Sequence, residues 1–404
     1  MNVVESSVAS QPDIALFRSQ AHSPSYASLT DNFDRVDQLK DYCIPINSYF
    51  PTPAIMSALY EKMPYALKYY PSGNAQIAEI VCQFADIADP NTVIVGNGST
   101  ELISWLNTLF VQDDVLVPVP SFGRWTDEPK GLGRNVHFVH YSDATNQCLT
   151  PDAFVQAVKG SGVKNAVLCN PNNPTGSIMQ RDEVVQIMRE LSYLDTLIID
   201  ESFIDFSMPE PPTVKDLVAQ FPNAWVLKSL GKNLGLHGLR MGYAISHPDN
   251  ISQLKRHVPF WNVNGITELL LKLVIDGKAD YEKSRLRVIQ DREYLKAALE
   301  SIPDLTVFPS FANFVYLKLD EALNGDVLRD RLLLNQQCFV RNCGNKIGCS
   351  PQYFRLAARP KEDVNYLVSA VKHEIKQLRA AAFMTSMNGL GCSITRIRKQ
   401  SLTS

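Results

Sequence analysis

The stretch VLKSLGKNLGLHGLRMGYAIS, residues 226–246, places Lys232 in a glycine-rich turn between two apolar runs typical of strands. Those runs cover residues 224–227 and 241–246, and Arg240 stands immediately before the second one. A lysine between two buried strands is poorly solvated, and loss of solvent lowers the pKa of an amine toward nucleophilicity at neutral pH. Such a lysine can form a Schiff base with a carbonyl group. The same residues also fit a surface-loop lysine beside a structural arginine, because glycines mainly punctuate turns.

Two further stretches share this design, in which an apolar run leads into polar residues. NPNNPTG, residues 170–176, follows the apolar run 166–169, and TLIIDESFIDF, residues 196–206, is an apolar strand that ends in Asp200. Together and in this order, the three stretches resemble the class I and II aminotransferases, which are fold-type-I pyridoxal phosphate (PLP) enzymes. Within that family the likeness is greatest to histidinol-phosphate aminotransferase and threonine-phosphate decarboxylase. It extends over roughly residues 44–378.

Alternation of apolar strands with helices predicts an α/β fold with a mostly parallel sheet covered on both faces. The resemblance implies seven strands in this sheet and a smaller α+β domain after it. In such sheets a ligand lies at the carboxyl ends of the strands, where Asn173, Asp200 and Lys232 all fall. The predicted organisation is a mobile arm over residues 1–35, a large PLP-binding domain over 36–247 with its N-terminal segment on the small domain, a small domain over 248–380, and a disordered tail over 381–404.

Composition excludes several classes of protein. The chain has 404 residues, of which 45% are hydrophobic and 20% charged, so it is long enough for an ordinary globular protein with ample core. A net charge of −3 gives no reason to expect a nucleic-acid or membrane partner. Without an 18-residue apolar run or a signal pattern, we expect a cytoplasmic protein. The eight cysteines form no Cys-x-x-Cys pair, so no metal site is predicted.

A phosphate site is predicted at residues 92–101, TVIVGNGSTE, which read as a strand, a glycine turn and the start of a helix. Unpaired N–H groups and the helix dipole attract an anion there, so Gly98, Ser99 and Thr100 form the predicted cradle. A plain helix N-cap is the alternative. The resemblance adds Ser229 and Arg240 as further ligands of the cofactor phosphate.

The chemistry of PLP assigns further residues. The pyridine ring of PLP withdraws electrons only while its nitrogen stays protonated, so a carboxylate must lie beside that nitrogen. Asp200 is a carboxylate at the end of its strand and can take this role. Asn173 can hydrogen-bond the ring oxygen. By resemblance, Lys232 holds the cofactor as a Schiff base and then acts as general acid and base, and Trp125 stacks on the ring.

Substrate contacts are predicted in two regions. Arg341 and Arg355 each stand in an apolar run, and a buried guanidinium needs an anionic partner such as a substrate carboxylate. Structural ion pairing is the alternative. The resemblance places residues 46–53, with Asn47 and Tyr49, at the substrate pocket.

A homodimer with composite active sites is implied by one further match. In the relatives, the segment that Tyr70 matches reaches across the dimer interface to the cofactor phosphate of the neighbouring subunit. Taken alone, a Tyr-Tyr-Pro run such as residues 69–71 is more often a packing aromatic.

Two residues depart from the family pattern. Phe203 stands where aminotransferases carry a tyrosine whose hydroxyl bonds the ring oxygen, and the run 200–206 is closer to the decarboxylase branch. Gly231 stands before Lys232 where both branches usually carry Ser or Thr, so one hydrogen bond to the cofactor phosphate is missing.

The first functional hypothesis is a PLP-dependent aminotransferase that moves the amino group of a small amino acid, with or without a phosphate or phosphonate tail, to a 2-oxo acid. The second is a PLP-dependent α-decarboxylase of an O-phospho amino acid. The third is a PLP-binding regulator without turnover. Such regulators usually carry a DNA-binding domain, for which a 35-residue arm is too short and not basic enough.

Overall fold

The computed structural model describes Ser25, Ala27, Ser28, Asp31 and residues 39–400, with side chains as far as Ala381. Most of the predicted arm over residues 1–35 lies outside these residues. The strands are β1 Lys40–Asp41, β2 Val93–Gly96, β3 Val115–Val119, β4 Val136–His140, β5 Asn165–Cys169, β6 Thr196–Asp200, β7 Ala224–Ser229, β8 Gly242–Ser246, β9 Leu305–Val307, β10 Phe314–Leu319, β11 Cys338–Phe339, β12 Arg341–Asn342 and β13 Tyr353–Ala357. The α-helices within residues 39–400 are α1 Pro53–Lys68, α2 Asn74–Ala85, α3 Ser99–Leu109, α4 Arg124–Gly131, α5 Pro151–Ser161, α6 Arg181–Glu190, α7 Leu230–Asn233, α8 Pro248–Lys255, α9 Gly265–Asp276, α10 Lys278–Glu300, α11 Gly325–Gln336 and α12 Lys361–Gln400.

A seven-stranded sheet with the order β2-β8-β7-β6-β5-β3-β4 forms the centre of the large domain. Only β8 runs antiparallel to its neighbours, and the other six strands point the same way. Every residue of the five strands β3, β5, β6, β7 and β8 is buried. The predicted α/β fold with a mostly parallel seven-stranded sheet is therefore confirmed.

Two layers of helices bury the two faces of this sheet. Within β6, Leu197 and Ile199 belong to the core shared with α1, α2, α5, α6 and α9, whereas Ile198 belongs to the core shared with α3, α4 and α8. Successive side chains of a strand point to opposite faces, so a strand covered on both sides must be apolar throughout. That is why these strands appear in the sequence as continuous apolar runs.

The small domain contains an antiparallel sheet with the order β12-β13-β10-β9. Its core combines this sheet with α11, α12 and the end of α10. The N-terminal segment packs here, since β1 pairs with β11 and Tyr42 lies in the same core.

The predicted domain boundary after residue 247 does not coincide with the division between the cores. Leu270 on α9 and Tyr281 at the start of α10 still belong to the core of the large domain, and the core of the small domain takes in α10 only from Leu295. One continuous helix thus connects the two domains. A sequence offers no loop or change of composition to mark such a boundary.

The predicted disordered tail over residues 381–404 is corrected as far as Gln400, because α12 continues to that residue. Ala380, Ala381 and Ala382 extend the helix with the strongest helix-forming residue, and no proline interrupts it. No helix of the part that the structure describes is both long and apolar enough to cross a membrane.

Candidate active site

A cavity of about 500 Å³ opens at the carboxyl ends of the central strands, between the two domains. Asp200 ends β6, Ser229 ends β7, and Lys232 lies in α7 directly afterwards. The carboxyl ends of parallel strands meet at one edge of the sheet, so segments far apart in sequence converge there. The cavity is lined by Ile44, Pro45, Ser99, Thr100, Phe122, Arg124, Asn173, Phe203, Ser229, Lys232, His237, Arg240, Arg341, Lys346 and Arg355.

Lys232 lines this cavity and also a smaller cavity that is lined by Asp200. Burial, opposed by the charge of Asp200 and assisted by the charges of Arg240 and Arg355, lowers the pKa of Lys232 to about 8. The Lys232 Nζ lies 4.8 Å from the centre of the Phe203 ring. A neutral amine is therefore accessible near physiological pH, as a nucleophile or proton acceptor requires.

Asp200 is held by two hydrogen bonds at the end of β6. Its Oδ2 accepts from Trp125 Nε1 at 2.8 Å, and its Oδ1 accepts from the backbone N–H of Ser202 at 3.0 Å. Both interactions leave further lone pairs of the carboxylate free to accept a proton donor in the cavity.

Trp125 does not take the stacking position predicted for it. Its side chain is fully buried and donates a hydrogen bond from Nε1 to Asp200. It lines neither cavity. Phe122, three residues earlier, lines both. Trp125 lies in the first turn of α4, whose inner face packs into the core, whereas Phe122 precedes the helix and faces the cavity. Phe122, like Phe203, is therefore an aromatic ring that faces the cavity, and Trp125 is not.

The residues of the predicted phosphate cradle lie together at the start of α3. Gly98 has a φ of 81°, and a Cβ at this position would stand 2.5 Å from Arg240 Nη2. The backbone conformation thus favours glycine, and a side chain here would also displace the Arg240 guanidinium. Arg240 Nη2 donates to Thr100 Oγ1 at 3.3 Å, and Ser99, Thr100 and Ser229 all line the cavity. Helix N–H groups, hydroxyls and one guanidinium form a set of donors suited to a phosphate.

Arg355 connects the small domain to the floor of the cavity. Its Nη1 donates to Asn173 Oδ1 at 2.8 Å and its Nη2 to the carbonyl oxygen of Cys43 at 2.7 Å, while its buried Nε has no partner. Asn173 therefore keeps its amide N–H groups as the donors that remain for a ligand. Arg341 also lines the cavity, but it is half-buried in the two-residue strand β12 rather than enclosed in a longer strand as predicted.

Asn47 and Tyr49 do not line the cavity, which corrects their predicted contact with substrate. Asn47 Nδ2 donates to the carbonyl oxygen of Asn233 at 3.1 Å and to Ser284 Oγ at 2.8 Å. Tyr49 donates its hydroxyl proton to Asp291 Oδ2 at 2.6 Å on α10. The backbone carbonyls of Asn47 and Phe50 also approach Gly235 closely. The nearby residues that do line it are Ile44 and Pro45.

Tyr70 lies outside the cavity on the surface of the chain. Its side chain is 80% exposed and stacks on Trp261, with ring centres 4.3 Å apart. A role at the active site of a neighbouring subunit stays a prediction.

Comparison with known proteins decides the family. The sequence model described as "Aminotransferase class I and II" matches residues 41–371. The chain belongs to the class I and II aminotransferase family. It is 30% identical to the L-serine phosphate decarboxylase of Campylobacter jejuni over 89% of this chain and 94% of the relative. It is 30% identical to the histidinol-phosphate aminotransferase of Caldanaerobacter subterraneus over 75% and 83%, respectively. The solved histidinol-phosphate aminotransferase of Sinorhizobium meliloti, in complex with PLP, superposes with a TM-score of 0.78 at 19% identity, covering 90% of this chain and 97% of that one.

As a member of this family the chain is a PLP-dependent enzyme, and the residues present fit the cofactor. Ser99, Thr100, Ser229 and Arg240 would hold its phosphate, and Asp200 would stand beside its ring nitrogen. When bound, PLP supplies an electron sink for a bond broken at the substrate Cα. Lys232 is the group that can then hold or move a proton at that carbon.

Six residues that line the larger cavity were not predicted from the sequence, namely Ile44, Pro45, Phe122, Arg124, His237 and Lys346. His237 Nε2 lies 3.2 Å from the carbonyl oxygen of Pro45, and burial together with the charge of Lys232 lowers the pKa of this histidine to about 4, so it is neutral at pH 7. Proximity of His237 to Lys232 in sequence was the one available signal. Lys346 lies in a loop without any strand or helix pattern.

Phe203→Tyr is expected to lower the pKa of the visible absorbance band of the bound cofactor. The Phe203 ring lines the cavity beside Lys232. A hydroxyl on this ring would donate a hydrogen bond to the oxygen on the ring of the cofactor. A charge-assisted bond of about 1.5 to 3 kcal/mol corresponds to roughly one to two pKa units. A pH titration of the band measures the shift, with Phe138→Tyr on β4 as the control. An unchanged titration would show that residue 203 does not reach the ring oxygen.

Proposed function

We propose that this enzyme removes the α-carboxylate of a small O-phospho amino acid as CO₂. The observation that supports this proposal is the charge of the cavity. Six cationic residues line it, and Asp200 in the smaller cavity is the carboxylate among the described lining residues. The cationic residues are Arg124, Lys232, Arg240, Arg341, Lys346 and Arg355.

The cofactor and an ordinary amino acid account for only part of this charge. Arg240 is next to the phosphate cradle, and Arg355 with its free Nε suits the α-carboxylate. Arg124 forms an ion pair with Glu128. Arg341 Nη2 donates to Asn345 Oδ1 at 2.8 Å, whereas Lys346 Nζ donates only to the carbonyl oxygen of Ser121 among the described residues, and a half-buried cation of this kind needs an anionic partner. A phosphate on the side chain of the substrate would supply it.

The comparisons favour decarboxylation over the aminotransferase hypothesis that stands first in the sequence analysis. The decarboxylase relative is matched over nearly its whole length, whereas the aminotransferase relative at equal identity is matched over less. Phe203 in place of tyrosine points the same way. Transamination remains the second candidate, because the family and that relative carry it and the same charges would hold its substrate.

The proposed reaction breaks the bond between Cα and the carboxylate carbon. CO₂ leaves, its bonding electron pair stays with Cα, and one proton from Lys232 completes a primary amine that keeps the phosphate. Arg355 orients the carboxylate beforehand, and Ile44, Pro45 and Phe122 exclude water from the cavity. O-phospho-L-serine would thus yield CO₂ and phosphoethanolamine in equal amounts.

The test is to incubate the holoenzyme with O-phospho-L-serine and measure CO₂, phosphoethanolamine and, with added 2-oxoglutarate, glutamate. We expect equimolar CO₂ and phosphoethanolamine, with L-serine a much poorer substrate. Glutamate formation without CO₂ would replace this proposal by the aminotransferase one. Parallel assays with O-phospho-L-threonine measure how large a side chain the cavity accepts.

We also propose that the enzyme works as a homodimer, supported by an exposed aromatic surface. Phe260 is 90% exposed and lies beside Trp261, on which the exposed Tyr70 stacks. A second copy of the chain covering this surface would bring Tyr70 to its neighbour's phosphate cradle. Light scattering should give twice the chain mass. Mixed Tyr70→Phe and Lys232→Ala subunits should exceed the summed activity of the separate variants, and a fully active monomer would contradict the proposal.

A further inference from the structure

Lys346 occupies an unusual place for a lysine. It lies between β12 and β13 in the small domain, yet its Nζ donates to the carbonyl oxygen of Ser121 in the large domain at 2.7 Å. The same loop touches the large domain again at Gly348, where a Cβ would lie 3.5 Å from the Pro120 nitrogen. Contacts from both domains therefore hold the ammonium at the cavity wall.

The charges around Lys346 leave its ammonium without a counterion. Among the described residues no carboxylate is close enough to act on the charge of Lys346, and the one hydrogen-bond acceptor of its ammonium is the Ser121 carbonyl. Burial lowers the pKa of Lys346 to about 8, and the nearby charges of Arg341 and Arg355 act in the same direction. An ammonium has three donors, so two remain for a ligand.

Lys346 is also separate from the cradle for the cofactor phosphate. That cradle is built at the ends of β2 and β7, with Arg240. Ser121, which holds Lys346, follows β3, and β3 is five positions from β2 across the sheet. Both lysine and cradle line one cavity, so a ligand can meet the cradle at one side and Lys346 at the other.

We propose that Lys346 is the residue by which this enzyme selects phosphorylated substrates, binding the phosphate on the substrate side chain with its ammonium. This assignment rests on the proposed function and deepens it. The substrate phosphate binds both Arg341 and Lys346. Because Lys346 is held by Ser121 of the large domain, the subsite is complete only when the two domains are in contact. A neutral hydroxyl in the same place offers no charge to either cation.

The test compares binding of phosphoethanolamine and ethanolamine to holoenzyme by calorimetry. In holoenzyme the cofactor fills the cradle, and these probes carry no carboxylate for Arg355. Lys346→Gln should weaken phosphoethanolamine binding about 10- to 100-fold, as loss of a charge-assisted hydrogen bond does, and leave ethanolamine unchanged. Lys372→Gln, an exposed position on α12, is the matched control and should change neither. An effect below twofold, or an equal effect on both probes, overturns the assignment.

A second measurement needs no variant and covers the case in which Lys346→Gln does not fold. Wild-type holoenzyme is acetylated with and without each probe, and the peptide carrying Lys346 is quantified by mass spectrometry. Phosphoethanolamine should protect Lys346 and ethanolamine should not, whereas equal labelling with both overturns the assignment. If Lys346 passes these tests but O-phospho-L-serine releases no CO₂, the proposed function alone fails. If CO₂ is released and the tests fail, the role of Lys346 alone fails.

Discussion

Lys232→Ala is expected to abolish turnover, with a loss of roughly 10⁴-fold or more, because a positioned acid and base alone contributes about 10² to 10⁴. The residue lies between both cavities, and burial lowers its pKa to about 8. Alanine removes the amine that anchors the cofactor as well as the proton carrier. Wild-type protein should show a visible band that borohydride abolishes, with the cofactor mass on the peptide of Lys232. The variant should show neither.

The control for this experiment is Lys372→Ala, which removes an exposed lysine of the small domain and should retain the band and the activity. Melting temperatures of both variants establish that the fold is intact. Wild-type turnover in Lys232→Ala would show that the catalytic assignment of this lysine is wrong, whichever reaction the enzyme performs.

Asp200→Asn should lower kcat by about 100- to 1000-fold, the loss typical of a preorganised electrostatic group. Its carboxylate is buried and held by Trp125 and the Ser202 backbone, so its position does not adjust to the ligand. Asparagine keeps the volume but has no negative charge to hold a proton on the ring nitrogen. Steady-state kinetics at saturating cofactor measures the effect.

Asp195→Asn is the matched control, because Asp195 is exposed just before the amino end of the same strand, β6. It should leave kcat unchanged. A reduction in Asp200→Asn that excess cofactor fully reverses would show that this carboxylate serves affinity alone, and its proposed electronic role would be withdrawn.

The residues predicted correctly as lining a cavity share one property, which is that short stretches of sequence determine their place. Ser99 and Thr100 follow a strand and a glycine turn, Asp200 ends an apolar run, and Lys232 follows another. An apolar run of about five residues followed by polar ones is a strand ending at the edge of a parallel sheet, so these groups meet without any knowledge of the packing. Their catalytic and binding roles stay predictions until the experiments above are done.

The corrected residues depend on packing that the local pattern does not contain. Trp125 and Phe122 are both aromatic and three residues apart, and only the burial of α4 against the sheet decides which ring faces the cavity. Asn47 and Tyr49 were placed by likeness, but contacts with α10 turn them away.

The sequence by itself determined the family, the order of strands and helices, and the lysine and carboxylate at the strand ends, because these follow from apolar periodicity and short motifs. The tertiary structure decided where the two cores divide, which arginines line the cavity, and that Lys346 faces it. Each of these depends on the packing of segments far apart in the chain, as Lys346 does on Ser121, 225 residues away. Such contacts arise from the whole core and leave no pattern near either residue.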